Sequence, residues 1–249
     1  MMKTKKIVIG DIHGAFKALK QVLQKARLND GDTLIFIGYY VDGWPESARV
    51  VDELIALSSR YDCVFIKGNH DIDCASWLAG NEADENWLEA KQESMIDSYK
   101  EIDEEKRERH LDFFASLRDY YIDSQNCLFV HAGFTSLKGP GDEFFSYNFN
   151  HDRTLLETAI AMDKTLTSDS NFYPKRLKLF SEIFIGHTPT TKYGITGPLN
   201  AANLWNVDTG ATFQGRITAM DILTKEYWQS DLVEELYGSV MGNGRLLVP

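Results

Sequence analysis

Short apolar runs alternate with longer amphipathic ones through the first part of the chain. "KIVIG" (6–10), "DTLIFIG" (32–38) and "DCVFIKG" (62–68) are nearly continuous apolar stretches that end on glycine. Their length and lack of polar alternation predict strands buried on both faces. Between them, "AFKALKQVLQKA" places Phe16, Leu19, Leu23 and Ala26 on one side of a helix. "ESARVVDELIALSS" does the same with Val50, Leu54 and Leu57. Strands that alternate with helices predict a mostly parallel sheet covered by helices.

The pattern changes from Asp71 to Gln125. This stretch is heavily charged, with Trp87, Leu88, Met95, Ile96 and Tyr99 at helical spacing. It reads as a helical insertion at about 72–125 whose charges form a solvated face. "CLFVHAG" resumes the core as a strand. A Gly-, Asn- and Phe-rich loop follows, then a helix from about Asp152 to Met162, then the strand "EIFIGHTP". "LWNVDTGA" and "GRITAMDIL" predict antiparallel strands, the second running on to "KEYW". Nothing in the pattern marks a linker or repeat, so one domain over 1–249 is expected.

With 249 residues, 43% of them hydrophobic, the chain can bury a large core. A formal net charge of −11 repels nucleic acid and anionic membranes, so neither is an expected partner. Cys63, Cys74 and Cys127 form no CxxC pair, so no zinc cluster or disulfide framework is expected. Cys63 and Cys127 open apolar strands and read as buried small hydrophobes. The apolar run near the N-terminus is too short for a signal peptide, and no stretch reaches membrane-span length; a soluble cytoplasmic protein is expected.

Polar residues gather where the strands end. The successive ends are "GDIHG" with Asp11 and His13, "GYYVDG" with Tyr39 and Asp42, "GNHD" with Asn69, His70 and Asp71, "HAG" with His131, and "GHTP" with His187. Four of the six histidines fall there. The carboxyl ends of strands are where open α/β sheets place their chemistry. Imidazole nitrogen with carboxylate and amide oxygen suits manganese, iron or zinc rather than calcium. Each motif alone is weak; five in order point to one metal-containing pocket. His110, in the charged stretch, reads as a surface residue. His151, in a polar loop, also reads as surface, though near the site region.

Together with "VDTGA" and "GRITAMDI", these motifs resemble the calcineurin-like metallophosphoesterases over about residues 5–222. The branch most similar is the small bacterial relatives of the serine/threonine phosphoprotein phosphatases. The resemblance implies a four-layered α/β/β/α sandwich with two divalent ions at the strand ends, manganese first, with iron or zinc as alternatives. It implies that Asp11 and His13 hold one ion and Asn69, His131 and His187 the other. His70 would be the general acid, oriented by Asp42, and a metal-bound hydroxide would attack phosphorus. The implied activity is phosphomonoester hydrolysis on a phosphorylated protein or a small phosphoester, with phosphoserine or phosphothreonine as the first choice. The alternatives are dinucleoside polyphosphate hydrolysis and a pseudophosphatase that binds a phosphorylated partner without turnover.

Two positions depart from the family's GDxxDRG segment. Tyr39 stands where an aspartate bridges both ions, and Gly43 where an arginine contacts phosphate. Two dications about 4 Å apart repel by roughly 16 kcal/mol at an effective dielectric near 20, and a bridging carboxylate offsets that with charge. A neutral phenol cannot. Its ring either fills the space of the bridging hydroxide or packs away and leaves a vacancy; both predict reduced metal occupancy and impaired activity. Arg153 is the candidate that replaces the lost phosphate contact, with Arg49 and Arg176 behind it.

Overall fold

The computed structural model describes residues 4–81 and 93–238. Two five-stranded sheets face each other between outer helices. The first sheet contains β1 (Lys6–Ile9), β2 (Thr33–Phe36) and β3 (Asp62–Phe65), parallel to one another, with β9 (Thr218–Asp221) antiparallel beside β1 and β10 (Tyr227–Gln229) antiparallel beside β9. The second has the order β4 (Tyr120–Ile122), β5 (Cys127–Val130), β6 (Glu182–Ile185), β8 (Leu204–Asn206) and β7 (Leu199–Ala201). In it β5, β6 and β8 run parallel, and β4 and β7 are antiparallel edges.

The apolar runs are explained by this layering. Side chains alternate across a strand. Val8, Ile35, Ile37, Phe129 and Phe184 therefore point between the sheets, where they form one buried cluster. Their neighbours Ile7, Ile9, Leu34 and Phe36 point outward under α1 (Phe16–Ala26) and α2 (Ser47–Ser58). On the other outer face Leu128, Val130, Ile183 and Ile185 lie under the helix containing Leu155 and Leu156. Both faces of the central strands are covered, so neither face needs polar residues.

Several boundaries differ from expectation. "LWNVDTGA" supplies β8, which is parallel to β6 and antiparallel only to β7. "GRITAMDIL" and "KEYW" are separate strands, joined through the turn at 222–226, which Asp221 stabilises by accepting N–H groups of Leu223 and Thr224. The helical stretch starts earlier than expected, with α3 (Asn69–Leu78), and continues through α4 (Glu93–Tyr99) and α5 (Glu104–Ala115). It ends before β4, a strand within the range expected to be helical. Met95 and Tyr99 are buried as their spacing predicts; Trp87 and Leu88 lie outside the described residues. His110 is not a surface residue. It is fully buried on α5, hydrogen-bonded to the Tyr99 hydroxyl at 3.1 Å and to Asp52 at 3.1 Å. All three cysteines are free; Cys74 and Cys127 are buried and Cys63 is half-buried. Among the described residues no helix is long and apolar enough to cross a membrane.

Candidate active site

The parallel strands of both sheets end at the same edge, and their loops are joined there across the sheets. The Asp11 carboxylate, just past β1, accepts the backbone N–H of His187, just past β6, at 3.0 Å. The Nδ1–H of His131, just past β5, donates to the carbonyl of Ile37, just past β2, at 2.8 Å. The N–H groups of Ile12 and His13 both donate to the Tyr39 carbonyl, at 3.0 and 2.7 Å. Gly186 permits the approach of Asp11, because a Cβ there would lie 2.1 Å from Asp11 Oδ1.

The backbone around these side chains is strained. Non-glycine residues with positive φ are uncommon, and such conformations cluster at functional sites. His13 (54°), Tyr39 (54°), Asp42 (70°) and His187 (66°) are all left-handed. Asp71 holds much of this frame. Buried in the first turn of α3, it accepts N–H groups from Tyr39 (2.9 Å), Tyr40 (2.8 Å) and Gly68 (2.8 Å). Burial raises its pKa to about 7.

The pocket therefore brings together Asp11, His13, Tyr39, Asp42, Asn69, His70, His131 and His187. Its polar atoms are notable for what they lack. Asp11 Oδ1, His13 Nδ1, Asn69 Oδ1, His131 Nε2 and Asp208 Oδ2 are buried with no hydrogen-bond partner. Buried polar atoms are ordinarily satisfied, so a group of orphans marks a ligand. His131 is especially clear: its Nδ1 proton is used on Ile37, so Nε2 presents a lone pair. Burial, and next the charges of other histidines, keep His13 and His131 well below the ordinary imidazole pKa. Burial and then Arg153 lower His187 to about 3. All three rings are neutral near pH 7, the form that coordinates metal. Burial, then the neighbouring Asp208, raises the pKa of Asp11.

The donor chemistry suits cations, yet two ions do not fit beside the Tyr39 ring. That ring is buried and stands in the middle of the imidazoles. Its centroid is 4.4 Å from His13, 4.5 Å from His70, 4.5 Å from His131 and 5.8 Å from His187. The hydroxyl reaches His187 Nδ1 at 3.3 Å. Among the described residues no three His, Cys, Asp or Glu side chains converge as a metal ion requires. Burial, and then the Asp11 charge, push the phenol far above its ordinary pKa, so without a cation beside it the ring is neutral. The ring lies among the imidazoles and is not packed away from them.

At the mouth of the pocket, His70 Nδ1 makes a short contact with the buried carboxylate of Asp42, while the imidazole keeps 28% of its surface in solvent. Burial alone would lower the pKa of His70; the hydrogen bond and charge of Asp42 more than offset this and raise it. Arg153 lies exposed at the start of α7 (Thr154–Ala161), near enough for its charge to act on His187. Arg49 and Arg176 are engaged elsewhere. Arg49 pairs with Glu46 over the Phe16 ring, and Arg176 binds the Phe134 carbonyl and Asp152.

One neighbour was not expected at the site, and one was placed only near it. Asp208 is buried just past β8, with one oxygen free and the other accepting the Gly210 N–H at 2.9 Å. It lies within "VDTGA", and the strand-end rule that singled out the other ligands applies equally to it. His151, read as a surface residue near the site region, is half-buried, and its ring lies 6.1 Å from that of His187.

Two facing sheets with a His/Asp/Asn pocket at their common edge and a solvent-facing His–Asp pair define a phosphoesterase-type site. The chain belongs to the calcineurin-like phosphoesterase family, whose sequence model matches residues 4–213. Members of that family use divalent metal ions. The chain is 25% identical over 229 residues to a bis(5'-nucleosyl)-tetraphosphatase PrpE [asymmetrical] of Anoxybacillus flavithermus, covering 86% of this chain and 88% of that protein. Its fold is similar to a serine/threonine phosphatase from Saccharomyces cerevisiae (TM-score 0.58, 16% identity, 88% and 73% coverage). It is also similar to a metallophosphoesterase from Sphaerobacter thermophilus (TM-score 0.54, 16% identity, 92% and 89% coverage).

Proposed function

We propose that this chain is a phosphoester-binding phosphoesterase in which the Tyr39 ring suppresses hydrolysis. One observation carries the reading: a phenol ring lies at the centre of the imidazole cage while the acid at its mouth is intact. Arg153 contacts the phosphate. His70 donates a proton to the leaving oxygen, and Asp42 fixes its tautomer and keeps it protonated to higher pH. Asp11, His13, Asn69, His131 and His187 are the residues that would coordinate ions once the ring is removed, with Asp208 beside Asp11. What this chain retains is therefore the phosphate-binding and acid half of the reaction.

For the substrate, we favour a dinucleoside polyphosphate over a phosphoserine or phosphothreonine protein. The support is the PrpE likeness, which extends over most of both chains, whereas the yeast phosphatase likeness concerns the fold alone. The test is turnover of an aryl phosphate and of a dinucleoside tetraphosphate with added Mn²⁺, comparing this chain with Tyr39→Asp. The variant is expected to be faster by roughly 10³-fold or more. Equal rates would refute suppression by the ring. A variant active on the aryl phosphate but not on the dinucleotide would refute the substrate preference.

A further inference from the structure

Large apolar side chains stand in solvent beside the pocket. On the loop after β5, Phe144 is 86% exposed and Phe145 and Tyr147 are each 63% exposed. Tyr147 opens α6 (Tyr147–His151), and its ring lies flat on His151 at a centroid distance of 3.7 Å and an angle of 6°. One face of Tyr147 is thus covered by an imidazole and the other is open. His151 in turn lies 6.1 Å from His187, which contacts Tyr39. The rings form a continuous series from the surface into the pocket.

This platform is held rigidly. The Glu143 carboxylate accepts the Ser136 N–H at 3.0 Å and the Asn148 amide at 2.9 Å, and also takes the Thr135 N–H. The Ala132 N–H, one residue beyond His131, donates to the Phe149 carbonyl at 2.8 Å and docks α6 on the pocket wall. Arg153 follows α6 directly, and its charge and that of Lys192 reach His187. An exposed aromatic ring, linked through His151 to His187 with the exposed Arg153 and Lys192 near that same histidine, matches a ligand that is aromatic at one end and polyanionic at the other.

We propose that the outer face of Tyr147 is a base-stacking subsite for a nucleoside 5′-polyphosphate. The base lies on Tyr147 while the phosphates extend past Arg153 to the pocket mouth. This rests on the phosphoester reading above and specifies its ligand.

The test is equilibrium binding to the whole chain, in chelator, of ATP and of inorganic tripolyphosphate. Stacking on an aromatic side chain is expected to make ATP bind about 10-fold tighter or more. Tyr147→Ala should abolish that difference and leave tripolyphosphate affinity and melting temperature unchanged; Tyr147→Phe should keep it. Equal affinities for the two ligands in the unaltered chain would overturn the subsite and leave the phosphoester reading intact. A preference for ATP that survives Tyr147→Ala would do the same. Failure of both ligands to bind would overturn both proposals.

Discussion

Replacing Tyr39 with aspartate should make the protein's stability depend on added metal, and stability can report this without any assay of catalysis. The ring is 8% exposed and packs on three imidazoles at 4.4–4.5 Å. Deleting a buried aromatic side chain costs about 3–5 kcal/mol in an apolar core. This pocket is polar, and water refilling it offsets part of that. The new carboxylate faces Asp11, Asp71 and Asp208, whose charges already act on position 39, so metal-free repulsion removes part of the offset. A net loss of about 3 kcal/mol in a chain of this size lowers Tm by about 6–12 °C in chelator. One ion bound at 1,000 times its Kd restores about 4 kcal/mol. The assay is a thermal melt of both proteins in chelator and across a Mn²⁺ series, with metal content measured after gel filtration. The unaltered chain should shift by no more than a degree or two. If the variant melts at the same temperature with and without millimolar Mn²⁺, the orphaned atoms are not a metal cage. If the unaltered chain gains as much as the variant, the ring is not the block.

In the Tyr39→Asp background, His70→Gln should lower turnover by about 10²–10⁴-fold, measured as kcat on a poor leaving group, with less effect on an activated aryl phosphate. Asp42→Asn should lower the pKa of His70, because the Asp42 charge and hydrogen bond raise it. The alkaline limb of the pH–rate profile should therefore move to lower pH. Arg153→Ala should weaken inorganic phosphate binding in the unaltered chain by roughly tenfold, the effect of losing one charge-assisted contact, as read by calorimetry. Burial lowers the pKa of His110 below its unfolded value, so its contribution to stability is present above about pH 6.5 and is lost as pH falls toward the folded pKa. Melting temperatures at pH 5 and 7.5 should differ less in His110→Asn than in the unaltered chain.

The central strands were legible because both their faces are buried, which leaves an unbroken apolar run in the sequence. Edge strands carry no such mark. Tyr120–Ile122 and Leu199–Ala201 are three residues each and partly exposed, and Tyr120–Ile122 follows α5 (Glu104–Ala115) after a short turn. The direction of β8 was not readable either. Its parallel pairing with β6 depends on the crossover through 186–203, not on any residue in the strand. His110 was hidden by the charged run that precedes it, although it shares the buried side of α5 with Phe113 and Phe114 and packs on Asp52 and Tyr99. At the site, the strand-end motifs named the pocket's side chains, since each needs only a glycine and a turn to face the common edge. The direction of the Tyr39 ring could not be read, because it depends on the neighbours' positions in three dimensions.

The backbone gives a reason to regard the block as one side chain thick. Left-handed φ is several-fold enriched for Asp and Asn and unfavourable for bulky residues, at about 1–2 kcal/mol. Tyr39 nevertheless adopts φ 54°, in a loop where His13, Asp42 and His187 are left-handed too. A frame shaped around a phenol could relax at position 39. This one is fixed from outside the ring, by the Asp71 carboxylate on two successive N–H groups and by Ile12 and His13 donating to the Tyr39 carbonyl. The ring is accommodated by what its neighbours lack. A Cβ on Gly68 would lie 2.9 Å from the ring's Cδ1 and 2.7 Å from the Tyr39 nitrogen. The hydrogen bonds from Asp71, Ile12 and His13 to this loop engage main chain at 39 and 40, and the phenol's own contact, to His187, is a longer 3.3 Å. Aspartate can therefore enter the same backbone with less strain, aim its carboxylate along the ring's path, and leave the rest of the pocket unmoved.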